Sequence, residues 1–336
     1  LSNNNLRLIK LNEKEDGKWL NEAQIFDLIK NNINFFDITE HPHPILYTPN
    51  QRSSKFYFPT KTQHNVLLNN TFGLINQQFM QTFLSNYSSF HNRYYKSNHG
   101  LDASVYLKQH ISLLPNNNNL VLNHFNHSWL QPSVIAKLPA TNNDEIIVIG
   151  AHLDSINSNN PSNGKAPGAD DDGSGVTTLL ETLRLVLKSN LKFQRNIEFQ
   201  FYSAEEVGLL GSQDIAQDYS KNNKKVIAML QLDMTGYNEK NKVRVINDYT
   251  NVELTQYLKL IIQNYSTYPW FDDKCGYACS DHASFNRTNY PSCRAAEDVK
   301  NFRLHTENDT TQFLNYNHMA EFVKISLGFI FELANP

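Results

Sequence analysis

Cysteine is scarce in this chain: three residues in 336, Cys275, Cys279 and Cys293, which allow at most one internal bridge. Gly276 in Cys275-Gly276-Tyr277-Ala278-Cys279 can supply the tight turn that brings two Cβ atoms within disulfide range. One local bridge with one leftover thiol is therefore expected, and with it an oxidising compartment. Two unrelated buried thiols are the alternative. An excess of one charge is lacking too. Thirty Lys and Arg against thirty-three Asp and Glu leave a formal charge of -3, which removes any electrostatic case for nucleic acid or an acidic membrane surface as partner. No long hydrophobic run exists: the apolar stretch at 323–334 is broken by Lys324, Ser326 and Glu332 and is too short to span a bilayer, so a soluble protein is expected. No signal-type apolar segment opens the chain at Leu1, which reads as a processed or trimmed form. No repeat is visible.

What is present is ample core material, with 40% hydrophobic and 12% aromatic residues, and this excludes wholesale disorder. The length permits one large domain or two smaller ones. Residues 1–50 differ in texture from the rest: Ile25, Leu28 and Ile29 mark one short amphipathic helix, and His41-Pro42-His43-Pro44 ends the region with two breakers. The two histidines read as solvated loop residues rather than metal ligands. From about residue 75 the pattern becomes α/β. Ile146-Ile147-Val148-Ile149 is a β-branched run suited to a central strand, and Val176, Leu179, Leu180, Leu183, Val186 and Leu187 recur with helical spacing. Further strands are expected at 197–202 and 226–232, with a helix starting near Gly208 between them. Asn-, Ser-, Pro- and Gly-rich segments at 116–119 and 155–168 read as surface loops. Alternating strands and helices indicate a sheet with parallel members and helices on its faces, in which ligands gather beyond the carboxyl ends of the strands.

Those strand ends are where the acids and imidazoles stand. Ala151-His152-Leu153-Asp154 follows the first strand, Ser203-Ala204-Glu205-Glu206 the second and Asp233-Met234 the third. Gly168-Ala169-Asp170-Asp171-Asp172-Gly173-Ser174-Gly175 puts three successive carboxylates at a helix start, and His305-Thr306 can add a second imidazole. A lone Asp run is usually a solvated N-cap; four clusters converging on one edge are not readily chance. Histidine and carboxylate without thiolate is the ligand set of hydrolytic zinc, less so of manganese or cobalt. Close-set carboxylates repel unless cations offset them, which is a motive for two metals.

These strings, with 275–283 and in this order, resemble the secreted leucyl aminopeptidases of bacteria and fungi, the co-catalytic di-zinc exopeptidases. The likeness runs from about residue 60 to the C-terminus, and the stretch from Trp19 to Glu40 is similar to the N-terminal extension of fungal members. The resemblance implies a single three-layer α/β/α domain over 51–336 with a mixed, mostly parallel central sheet, preceded by a propeptide-like extension over 1–50. It implies two zinc ions bridged by Asp171, with His152 and Asp233 completing one site and Glu206 and His305 the other. Glu205 would be the general base, set beside a ligand by an extended segment, and Tyr277 would donate to the oxyanion. Asp154 would orient His152, Asp172 would support the bridging loop, and a cis peptide would join Asp171 to Asp172. Met234, Ile246, Cys279, Arg294, Ala296 and Phe302 would line the substrate pocket, and Cys275 would bridge Cys279. Peptides with a free N-terminus, leucine-like residues first, would be cleaved outside the cell by a monomer without nucleic-acid or membrane partners.

Bland alternatives stand beside these roles: Asp154 and Asp172 as loop carboxylates, Tyr277 as a packed ring, Met234 and Ile246 as core. His282 reads as structural. Arg294 and Ala296 depart from the larger apolar side chains of bacterial relatives, so Ala296 is expected to enlarge the pocket and Arg294 to snorkel out of it or favour polar substrates. Rival functions are a carboxypeptidase, for which Arg294 would be the carboxylate clamp, a glutaminyl cyclase, and a non-catalytic binding module. The last would have lost ligands that are all present here.

Overall fold

The computed structural model describes residues 6–12, 14–48, 56–115, 119–141 and 143–335. The extension contains β1 (Leu6–Lys10), β2 (Lys18–Asn21), α1 (Glu22–Lys30) and β3 (Phe36–Asp37). Its helix is the expected one, opened by a capping box in which Asn21 accepts from the Gln24 amide while the Gln24 side chain accepts from the Asn21 amide. The small antiparallel sheet β2-β1-β3 was not foreseen, because two-to-five-residue strands carry almost no periodic signal. Ile9, Ile25 and Ile29 are buried against Tyr94, Tyr95, Ala204, Val207 and Leu210, so the extension docks through its own apolar core. His43 is exposed as expected, whereas His41 is partly buried, its Nε2 2.8 Å from Asp214 Oδ1. The boundary near residue 50 lies outside the described residues, as do 116–118 of the expected loop at 116–119.

Three helices follow, α2 (Asn65–Phe72), α3 (Gln77–Tyr87) and α4 (Asn98–Ser112). The sheet then begins with β4 (Val121–Phe125), β5 (Ser133–Leu138) and β6 (Glu145–His152). Next come α5 (Gly173–Ser189), β7 (Asn196–Tyr202), α6 (Leu210–Lys221) and β8 (Lys225–Leu232). The chain closes with β9 (Val243–Ile246), α7 (Val252–Tyr265), β10 (Trp270–Asp273), α8 (His282–Arg287), β11 (Ser292–Ala296) and α9 (Tyr316–Ala334). The strand order is β10-β9-β11-β8-β6-β7-β5-β4. β11, β8, β6 and β7 run parallel at the centre, and β9, β5 and β4 pair antiparallel around them, which gives the mixed, mostly parallel sheet expected.

Three layers follow from the two-residue period of the strands. In β6, Ile147 and Ile149 enter the core made with α3, α4, α5, α7 and α9, while Ile146 and Val148 enter the opposite core with Ile215 and Tyr219 of α6 and Phe285 of α8. With helices on both faces, the strand ends are left open for chemistry.

Candidate active site

Each central strand delivers a polar side chain as it leaves the sheet. His152 is the last residue of β6, which continues three residues beyond the Ile146-Ile147-Val148-Ile149 run. Asp233 directly follows β8, and Glu205 and Glu206 follow β7 by three and four residues. This pair lies on a turn rather than an extended segment: the Glu205 carbonyl accepts from the amides of Gly208 and Leu209. Ala204 makes the turn with φ 58°, and Met234 and His305 also sit at positive φ, 65° and 57°. A left-handed non-glycine residue costs of order 1 kcal/mol. At each of the three the carbonyl accepts a backbone hydrogen bond, from Leu210, Glu297 and Ser158, which holds the unfavourable conformation in place.

Asp171 lies between two imidazoles. Its Oδ1 is 2.9 Å from His152 Nε2 and its Oδ2 is 3.0 Å from His305 Nε2. Glu206 Oε2 is 2.9 Å from His305 Nε2, and Asp233 Oδ1 is 3.8 Å from His152 Nε2. One carboxylate is thus shared and one further carboxylate stands beside each histidine. Glu205 Oε2 is 4.0 Å from His152 Nε2. Among the described residues, two groups of ligand atoms close enough for one cation are His152 with Asp171 and Glu206, and His152 with Asp172 and Asp233. Asp172 is the weaker member, because its oxygens already accept from the amides of His152, Gly175 and Met234. The buried Glu206 Oε1 has no hydrogen-bond partner among the described residues, and an unsatisfied carboxylate oxygen in a nitrogen-and-oxygen set suits zinc.

The electrostatics point the same way. Burial pushes Glu205 well above the usual carboxylate range and Glu206 up to about 7, with neighbouring carboxylates adding to the effect. Burial opposes the charged form of both imidazoles, yet carboxylates outweigh it, Glu205 foremost at His152 and Glu206 at His305, and raise each well above its ordinary value. Asp171 is held low against its burial by the two histidines, and Asp233 by Arg294 and His152. Such a site is short of positive charge, and protons or cations must supply it.

Around these groups the backbone is fastened by residues distant in sequence. Asp154 accepts from the amides of Glu205 at 3.0 Å and Glu206 at 3.2 Å, and its Oδ1 is 3.5 Å from His152 Nδ1. The Asp171-Asp172 peptide is cis, as the resemblance implied. Two fasteners escaped the sequence reading. Fully buried Arg93 donates to the carbonyls of Leu153, Pro167 and Gly168, and Asp309 accepts from the amides of Asp170 and Asp171. Asp309 stands four residues after His305, a weak signal; nothing in the local sequence marks Arg93.

A cavity of about 720 Å³ opens over the site. Met234, Tyr277, Cys279, Arg294 and Phe302 line it, together with Ile29, Ile33 and Phe35 of the extension. Ile246 and Ala296, expected in the pocket wall, are buried and do not line it; Arg244, opposite Ala296 on the neighbouring strand, does. For Arg294, one of the two expected outcomes is not met. It does not snorkel: it is buried, with its guanidinium 3.0 Å from Asp233 Oδ2 and bonded to the Cys279 carbonyl. Tyr277 sits on the short loop closed by the Cys275–Cys279 disulfide, and burial pushes its phenol up to about 12, so it remains a donor near neutral pH. Cys293 is free and buried, and His282 is fully buried and does not line the cavity.

The sequence profile of peptidase family M28 matches residues 133–330. The chain belongs to peptidase family M28. It is 39% identical to the probable leucine aminopeptidase 1 of Trichophyton verrucosum, over 94% of this chain and 89% of that protein. With the leucine aminopeptidase 1 of Sclerotinia sclerotiorum it shares 42% identity over 94% of this chain and 86% of that one. The crystal structure of the Legionella pneumophila aminopeptidase LapA superposes with a TM-score of 0.85 at 29% identity, covering 98% of this chain and 94% of that one. As a family M28 member the chain is a hydrolase, a metal-dependent exopeptidase of the aminopeptidase kind.

Proposed function

We propose that this protein is a two-zinc aminopeptidase that releases single residues, leucine-like ones preferred, from the free N-terminus of peptides outside the cell, and that it works as a monomer. The observation that carries the reading is the placing of Asp171 between His152 and His305, with Asp233 and Glu206 beside one histidine each and Glu205 within the same cavity. Asp171 would bridge the ions, His152 and Asp233 would hold one, and Glu206 and His305 the other. Bound there, zinc supplies Lewis-acid polarisation of the scissile carbonyl and lowers the pKa of water. Glu205 takes the proton from the attacking water as its oxygen adds to the carbonyl carbon, and returns that proton to the amine nitrogen as the carbon–nitrogen bond breaks. The Tyr277 hydroxyl donates to the developing oxyanion. Asp154 fixes the Glu205-Glu206 turn through both amides, and Asp172 fixes the bridging loop. The disulfide supports extracellular location. Arg294, the clamp expected of a carboxypeptidase, is committed to Asp233.

Metal analysis joined to kinetics tests the reading. Zinc-loaded protein should carry two ions and hydrolyse leucyl anilide, and Glu205→Ala should keep the fold and both ions while losing turnover by about 10² or more. A Glu205→Ala variant with near-normal turnover would remove the proposed base. Cleavage of an N-blocked peptide in preference to a C-amidated one would remove the aminopeptidase.

A further inference from the structure

The cavity that holds the reacting residues also gathers cations that the chemistry above does not use. Arg244, Lys274 and Lys300 line it in addition to Arg294. Arg294 is spent on Asp233, but the others are not comparably occupied. Arg244 donates through Nε to the Glu297 carbonyl at 3.1 Å, and its Nη1 is 3.6 Å from Asp273 Oδ2, beyond ordinary hydrogen-bond length. Its side chain keeps 17% of its exposure, on the cavity it lines. Lys274 and Lys300 are exposed, and no carboxylate stands within ion-pair distance of either ammonium among the described residues.

The sheet explains why a guanidinium is present. Arg244 of β9 faces Ala296 of β11 directly across an antiparallel pair, and directly opposed side chains share a face. Ala296 is fully buried and leaves the space above it to Arg244, whose Nε then reaches the carbonyl of the next residue, Glu297. A small residue at 296 therefore does not enlarge the pocket; it lets a fixed, planar, two-pronged donor into the wall. A guanidinium and exposed ammonium groups lining one cavity are groups that recognise a carboxylate.

We propose that Arg244, with Lys274 and Lys300 at the rim, forms a subsite for a carboxylate carried by the substrate. This rests on the aminopeptidase reading and narrows its substrate class. Two sources present that group: an acidic side chain on the N-terminal residue, or the C-terminal carboxylate of a peptide only two or three residues long.

Paired substrates separate the sources. In zinc-loaded protein, KM and kcat are measured for glutamyl and glutaminyl 4-methylcoumarin amides, and for Leu-Gly-Gly and its C-terminal amide, in wild type, Arg244→Gln and the double variant Lys274→Met with Lys300→Met. The expected result is a preference of at least about tenfold for the carboxylate member of one pair, seen mainly in KM and reduced severalfold or more in each variant. Loss in the glutamyl pair assigns the subsite to the side chain; loss in the tripeptide pair assigns it to the chain end. The lysines are exposed, so the double variant decides the matter should Arg244→Gln fold poorly. Acid-to-amide ratios that stay near one in wild type, or do not move in the variants, overturn the subsite. Failure of wild type to hydrolyse leucyl amide at all would instead overturn the aminopeptidase reading.

Discussion

Six buried or half-buried acids and imidazoles, each within 4.0 Å of another, make the charge state of each side chain depend on its neighbours. In metal-free protein, Glu205 and Glu206 are raised, Glu206 to about 7, and His152 and His305 are raised as well. The signs agree. A carboxyl whose folded pKa exceeds its unfolded value keeps its proton in the fold, so stability falls as pH rises from the unfolded value towards the folded one. A raised histidine adds stability below its unfolded value that is lost as pH climbs through the folded one. Asp171 and Asp233 are depressed, and their contribution is lost only in acid, below the ordinary carboxylate range. From about pH 5 to about pH 8, above the ordinary carboxylate value and through the raised ones, the stripped protein should therefore melt at progressively lower temperature. Zinc should erase most of that decline, because cations take over the protons' role. Melting curves with and without zinc across this range check it; a stripped protein that gains stability with pH would contradict the charge deficit argued for the site.

Helix α5 and strands β6 and β8 meet at one carboxylate. Asp172 caps α5 through the Gly175 amide at 3.0 Å and accepts from the His152 amide at 3.1 Å and the Met234 amide at 3.0 Å. Gly175 has no Cβ because that atom would collide with the Asp172 carboxylate folded back over it. Asp172→Ala loses a cap, about 1 kcal/mol, and leaves buried amides unpaired at about 1–3 kcal/mol each, so a cost of about 3 kcal/mol or more is expected in denaturant unfolding. Asp172→Asn keeps one acceptor oxygen and should cost less. Both should weaken zinc binding, since His152 and Asp171 lose the backbone frame that sets them; an undiminished zinc affinity in Asp172→Ala would show that the frame is held elsewhere.

Across the whole molecule, the extension and the catalytic part share one surface. Ile29, Ile33 and Phe35 line the cavity, and the extension is held by Ile9 and Ile25 in its small core, by His41 on Asp214, and by Arg287 on the carbonyls of His41 and Pro42. We expect the extension to narrow the cavity mouth as a shielding propeptide would. A chain starting at Phe56 should hydrolyse longer peptides severalfold faster while small anilides change little, and should melt at a lower temperature because Tyr94, Tyr95, Val207 and Leu210 lose their cover. Equal kinetics for long and short substrates in a well-folded truncation would remove the shielding role. The amino-acid sequence by itself determined the layered α/β plan and the ligand-type residues at the strand ends, because β-branched runs, helical spacing and the acids that follow them are local patterns. Tertiary structure alone decided that Arg294 turns inward to Asp233, that Arg244 replaces Ile246 and Ala296 in the cavity wall, that Arg93 and Asp309 hold the bridging loop, and that the extension forms part of the mouth. Each of those contacts joins residues far apart in the chain, and only the register of neighbouring strands and the packing of separate segments bring them within reach.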